Sequence, residues 1–140
     1  MKDRIHIVKE LSGLVLSNFT EVHYEDLPEV YDGSCEYVHS SHTFEFSSDN
    51  ILEEIIGKVK RKGTISLVGN DLLEISRDIS NGLHSMVVKN QLEEMRKKIF
   101  GGRLRLFTIK EIVDLLTSKG FSISKKRLKD GQFFIEAVRQ

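Results

Sequence analysis

Two alternating runs, Phe121–Leu128 and Phe133–Val138, flank the dipeptide Asp130-Gly131. Asp-Gly is a strong hairpin signal because both central residues of the preferred two-residue turn take positive φ. The chain should therefore finish in two antiparallel strands. Upstream the pattern changes. Thr64–Val68 is a compact β-rich run of the kind a buried strand shows. Before it, the stretch from Asn50 to Lys60 places Ile51, Ile55, Ile56 and Val59 on one helical face. After it, Ile109, Ile112, Val113 and Leu116 form the apolar face of a second helix. Strand, helix, strand, helix and a terminal hairpin predict an α/β fold. Its sheet is mostly parallel with a C-terminal antiparallel hairpin.

Local signals place the boundaries. Thr108 is a good N-cap, and Glu111 three residues on completes a capping box. Gly120 supplies that helix's C-terminal stop. Ser47, Ser48 and Asp49 offer caps for the earlier helix, and Gly63 is expected to end it. Phe19–Tyr24 and Glu36–Ser41 read as strands, with a loop from Pro28 to Gly33. Over residues 4–17, Ile5, Val8, Leu11 and Val15 recur at helical spacing, which predicts an amphipathic helix; a short strand at Ile5–Val8 is the alternative. The stretch from Asp71 to about Lys98 reads as helix-rich, interrupted near Asn81-Gly82, with a break at Gly101-Gly102. From Leu72 to Ile99 it carries more apolar residues than one small sheet covers, so it is expected to cover a sheet edge or dock a partner.

At 140 residues the chain is read as one domain, 1–140. No apolar run approaches the ~20 residues of a membrane span. Met1-Lys2-Asp3-Arg4 leads into broken apolar residues rather than a secretory signal. Cys35 is the only cysteine, which rules out an internal disulfide and a cysteine-based metal site and suggests a cytoplasmic protein. Net charge is zero, but residues 1–70 hold 12 acids against 7 bases and residues 71–140 hold 9 against 14. Such opposed halves can favour self-association or a charged partner, although a solvated surface is the ordinary reading. Basic clusters at Lys58–Lys62, Arg96–Arg105 and Lys125–Lys129 leave nucleic-acid contact as a weak alternative, without the aromatic interleaving of single-strand readers. His39 and His42 lie three apart and face opposite sides of a strand, so no metal site is expected. Cys35 reads as a small buried hydrophobe, and Glu53-Glu54 as exposed helix charge.

Three segments, in order, carry a resemblance. Leu27-Pro28 is followed by Asp32-Gly33-Ser34-Cys35-Glu36-Tyr37-Val38-His39-Ser40-Ser41-His42-Thr43-Phe44-Glu45. Next comes Leu52-Glu53-Glu54-Ile55-Ile56-Gly57-Lys58-Val59-Lys60-Arg61-Lys62-Gly63-Thr64-Ile65-Ser66-Leu67-Val68. Last are Phe107-Thr108-Ile109-Lys110-Glu111-Ile112, Leu115-Leu116 and Lys119-Gly120-Phe121. Together they resemble the middle and end of a type 11 class I S-adenosylmethionine (SAM)-dependent methyltransferase. The resemblance implies a reduced Rossmann-like methyltransferase sheet. The strands kept would correspond to the family's third, fourth, fifth, seventh and sixth, with the third beside the fourth or left as an open edge.

The family holds SAM on a glycine-rich turn after its first strand, where backbone must pack against the ligand. No G-x-G turn occurs in that context here. Gly13 stands alone, and residues 1–34 are expected to hold only a helix and one strand. The family's adenine-binding aspartate aligns with His23, and its P-G-G turn with Arg61-Lys62-Gly63. The resemblance therefore implies a degenerate, non-catalytic protein that binds no cofactor by itself and serves as a subunit or adaptor of a protein partner or of a second copy. The alternative is a split SAM-dependent methyltransferase completed by another chain. Glu25, Asp26, Ser41 and His42 would then line the cofactor cleft. No catalytic or metal-binding residue stands out.

Overall fold

The computed structural model describes residues 3–8, 18–41, 51–71, 73 and 107–140. Six strands form one sheet: β1 (Arg4–Val8), β2 (Thr20–His23), β3 (Cys35–Ser41), β4 (Val59–Asn70), β5 (Phe121–Lys129) and β6 (Gln132–Arg139). Two helices accompany them, α1 (Ile51–Gly57) and α2 (Ile109–Ser118), with a 3₁₀ helix over Tyr24–Glu29. The spatial order is β2-β1-β3-β4-β6-β5. The first four strands are mutually parallel, and β6 runs antiparallel to both β4 and β5. The expected mostly parallel sheet with an antiparallel C-terminal hairpin is thus present.

Position β1 corrects the expectation drawn from residues 4–17. Arg4–Val8 is a strand, hydrogen-bonded to β2 on one side and β3 on the other. It fills the place where the third and fourth family strands were expected to meet. Residues 1–34 accordingly hold two strands rather than one. The alternation within β1 suits that place: Ile5 and Ile7 are fully buried, whereas Arg4 and His6, one position before each, are half-buried. Burying an isoleucine is worth roughly 1.5–3 kcal/mol. Only an extended backbone sends both isoleucines to one face here. Among the described strands, β2 is the parallel edge of the sheet.

Ile5, Ile7, Val22, Val38, Ile65, Leu67, Ile135 and Ala137 form a continuous cluster with Ile55 of α1 and with Ile112 and Leu116 of α2. Helix α2 starts as expected. The Thr108 hydroxyl accepts from Glu111 N at 3.2 Å, and the Glu111 carboxylate reaches back to Thr108 N. Gly120 follows its end at φ 86°. The hairpin turn has Asp130 at φ 53° and Gly131 at φ 74°, the double positive φ that Asp-Gly predicts.

Gly63 does not end a helix. Helix α1 stops at Gly57, and Gly63 lies inside β4. The β3–β4 register jumps from Cys35↔Val59 to Tyr37↔Thr64, so β4 bulges between them, with Lys62 at φ 67°. A Cβ on Gly63 would stand 2.9 Å from the Lys60 carbonyl oxygen and 3.0 Å from those of Cys35 and Glu36. The glycine is required by close backbone approach.

Lys125, Lys126, Arg127 and Lys129 are exposed on β5, an edge strand of the sheet. Charged side chains at such an edge discourage pairing with another chain, and this accounts for the third basic cluster. Ser47, Ser48, Asp49, Gly13 and the Gly101-Gly102 break lie outside the described residues. So does the helix-rich stretch, apart from Asp71 and Leu73.

Candidate functional site

Strands β1, β2, β3 and β4 run the same way and finish at one edge of the sheet, at Val8, His23, Ser41 and Asn70. Ligands of open α/β sheets bind outside this carboxyl edge. Glu25 and Asp26 follow β2 directly, on exposed positions of the 3₁₀ helix. His23 caps that helix, its Nδ1 accepting from Glu25 N at 3.2 Å. The Tyr24 hydroxyl donates to Glu25 Oε1 at 3.2 Å. Desolvation first, and Glu25 second, raise the Tyr24 phenol above its ordinary pKa. Ser41 ends β3 and is half-buried. Because β1 separates the two strands, roughly 10 Å of sheet lies between the ends of β2 and β3. The carboxylates and Ser41 therefore share one edge without forming a contact pair. His42 lies outside the described residues.

Three further groups at this edge had no local signature in the sequence. Ser40, next to Ser41, is fully buried on the helix-packed face, and its Oγ has no hydrogen-bond partner among the described residues. Asn70 ends β4 and Asp71 follows it, both in a buried setting. Asp71 Oδ2 accepts from Ile109 N at 2.7 Å, which ties the end of β4 to the first turn of α2. A carboxylate there also complements the helix dipole. The two residues are far apart in the chain, so only folding reveals the link.

A polar row crosses the opposite face of the sheet. Glu21, His6, His39, Ser66 and Glu136 are paired in register across β2, β1, β3, β4 and β6. The rings of His6 and His39 lie 5.0 Å apart, inclined at 45°. His39 Nδ1 is hydrogen-bonded to Ser66 Oγ. Burial first, and the neighbouring His6 second, lower the His39 pKa to about 4. Burial also lowers that of His6, against an opposing pull from Glu21. Both imidazoles are therefore neutral near pH 7. Among the described residues, no three His, Cys, Asp or Glu side chains gather as a metal site. Cys35 is fully buried, and desolvation pushes its thiol pKa up, as suits a small apolar residue rather than a nucleophile.

A SAM cradle would lie after β1, where the sequence reads Lys9-Glu10-Leu11-Ser12-Gly13. Side chains at four successive positions do not fit a turn that must bring bare backbone against a ligand. Glu25 and Asp26 supply carboxylates at the end of the neighbouring strand, but they do not replace that turn.

The order of strands and the packing of helices define an α/β sheet of the class I SAM-dependent methyltransferase type. Solved structures bear this out. The complex between the Haloferax volcanii Trm112 methyltransferase activator and a candidate methyltransferase matches with a TM-score of 0.58 at 13% identity, over 97% of this chain and 72% of that one. A Thermotoga maritima SAM-dependent methyltransferase matches with a TM-score of 0.55 at 16% identity, over 87% of this chain and 63% of that one. A Methanosarcina mazei SAM-dependent methyltransferase gives 0.55 at 22% identity, over 86% and 66%. This chain spans less than two-thirds of the length of the latter two. No protein-family model matches the sequence, and no curated protein does. The chain thus has a reduced class I methyltransferase fold. Among the described residues, no helix is long and apolar enough to cross a membrane.

Proposed function

We propose that this chain is a non-catalytic, methyltransferase-like subunit of the cytoplasm that acts by stabilising or positioning a protein partner. One observation carries the reading: the sheet retains a strand in the cofactor-strand position, but Lys9-Glu10-Leu11-Ser12-Gly13 follows it instead of a glycine turn. The short parallel edge strand β2 is a surface that a partner or a second copy would cover. The Haloferax volcanii protein of the same fold is itself seen in complex with an activator protein, which supports a working mode through association. Titration calorimetry of the full chain with SAM and with S-adenosylhomocysteine is the direct check. No heat of binding is expected, and micromolar affinity for either overturns the proposal.

The buried, unpartnered Ser40 hydroxyl beside the carboxyl edge favours a second reading. In it the chain is half of a split methyltransferase, with Glu25, Asp26, Ser41 and His42 lining a SAM cleft that another chain completes. A co-purifying chain with a G-x-G turn after a strand supports this. Absence of methyl transfer by the reconstituted pair removes it.

A further inference from the structure

Where β3 and β4 begin, at the end of the sheet opposite Glu25 and Ser41, a hollow of about 460 Å³ opens among residues that include Pro28, Tyr31, Asp32, Glu53, Glu54 and Lys58. Its floor is fixed by backbone bonds from Gly33 N to the Gly57 carbonyl and from Cys35 N to the Lys58 carbonyl, both 2.9 Å. Lys58 is the cation that lines it, and that charge is already matched. Its ammonium lies 2.7 Å from Asp32 Oδ1, with the lysine side chain 5% exposed. Glu53 and Glu54 take part in no ion pair with a described residue, and the described lining carries three acids against one base, a net negative charge. Tyr31 is 84% exposed, the most exposed of the large apolar side chains described. An aromatic ring contributes to stability by burying its surface, and this one buries almost none in the fold.

We infer that this hollow is a docking site for a cationic side chain of the partner protein, arginine in preference to lysine. The guanidinium would lie on the Tyr31 ring while Glu53 and Glu54 accept its N–H groups. Arginine suits that combination because its planar head stacks on aromatics and donates from its edge. Tyrosine and arginine are also the residues that most often dominate interface energetics. Anions are repelled by the carboxylates. Inorganic cations are disfavoured as well, because among the described residues no three acids gather as a metal-binding group. The inference rests on the reading of the chain as one that acts through a partner, but not on whether SAM binds.

The test is a titration of the isotopically labelled full chain, followed by its amide spectrum, with end-capped hexa-arginine, hexa-lysine and hexa-glutamate at low salt. Hexa-arginine is expected to shift the amides of Tyr31, Asp32, Glu53 and Glu54 first and saturably. Hexa-lysine should bind more weakly, and hexa-glutamate should leave them unmoved. Tyr31→Ala should weaken hexa-arginine binding by about two- to fivefold, the range for an exposed cation–π contact. Tyr31→Phe should keep most of the affinity, and Glu53→Gln with Glu54→Gln should reduce it further. All these side chains lie at the surface of the hollow, and the unliganded spectra report whether the variants remain folded. Shifts scattered over every acidic surface, or affinity indifferent to Tyr31→Ala, overturn the inference, as does absence of binding. SAM calorimetry is read separately: a chain that binds SAM and hexa-arginine refutes only the non-catalytic proposal, and a chain that binds neither refutes only the docking site.

Discussion

His39 and Ser66 face each other in register on β3 and β4, and the imidazole Nδ1 lies 2.5 Å from the serine hydroxyl. This bond holds a neutral ring at the centre of the sheet, with His6 on its other side. A low pKa in the fold makes the pair acid-sensitive. An unfolded histidine takes up its proton near pH 6.5, whereas His39 resists protonation until about pH 4. Stability is therefore complete above pH 6.5 and falls as pH drops towards 4, with His6 shifted in the same direction. After allowance for solvent screening, the loss attributable to His39 is on the order of 2 kcal/mol. Urea unfolding at stepped pH should show this slope, and His39→Gln should flatten it by half or more. An unchanged slope in the variant would place the acid sensitivity elsewhere.

Asp71 joins β4 to α2 through Ile109 N. Asp71→Ala leaves that amide without its acceptor in a buried setting and should cost about 1–3 kcal/mol. Asp71→Asn keeps an acceptor and loses the charge, so the cost should be nearer ~0.5–1 kcal/mol. Thermal melts rank the variants, and hydrogen exchange at the Ile109 amide should accelerate most in Asp71→Ala.

A Cβ at Gly63 would meet three backbone carbonyl oxygens at 2.9–3.0 Å. Since backbone rather than a flexible side chain must move, Gly63→Ala should destabilise by about 1–3 kcal/mol. A melting temperature equal to that of the parent would mean that the β4 bulge relaxes without cost.

Ser40 provides the opposite sign. Its buried hydroxyl has no partner among the described residues, so Ser40→Ala removes an unsatisfied polar group and should be neutral or stabilising by up to about 1 kcal/mol. Destabilisation of that size would instead reveal a hydroxyl satisfied within the isolated fold.

Elements governed by their own neighbours in sequence were legible. The α2 capping box needs only Thr108 and Glu111, and the hairpin turn needs only Asp130-Gly131. Glu25, Asp26 and Ser41 lie at the carboxyl edge of the sheet, at or just after the ends of β2 and β3. By contrast, Ile5, Val8, Leu11 and Val15 fit a helix, although Ile5 and Ile7 fit a strand equally well. Nothing within residues 4–8 decides between the two. The decision comes from β2 and β3, which satisfy the backbone of β1 on both sides. Gly63 was misplaced for a related reason, because its role depends on carbonyls of β3 rather than on its own helix.

Sequence alone determined the α/β alternation, the capped helix, the closing hairpin and the want of a G-x-G turn. These follow from periodicity, φ preferences and residue identity, which act over a few positions. Tertiary structure decided that Arg4–Val8 lies mid-sheet, that Asp71 holds α2, that five polar residues align across five strands, and that Tyr31 stands over an acidic hollow. Those relationships exist only once strand register and burial bring distant residues together, and register is set by the buried face of the whole sheet.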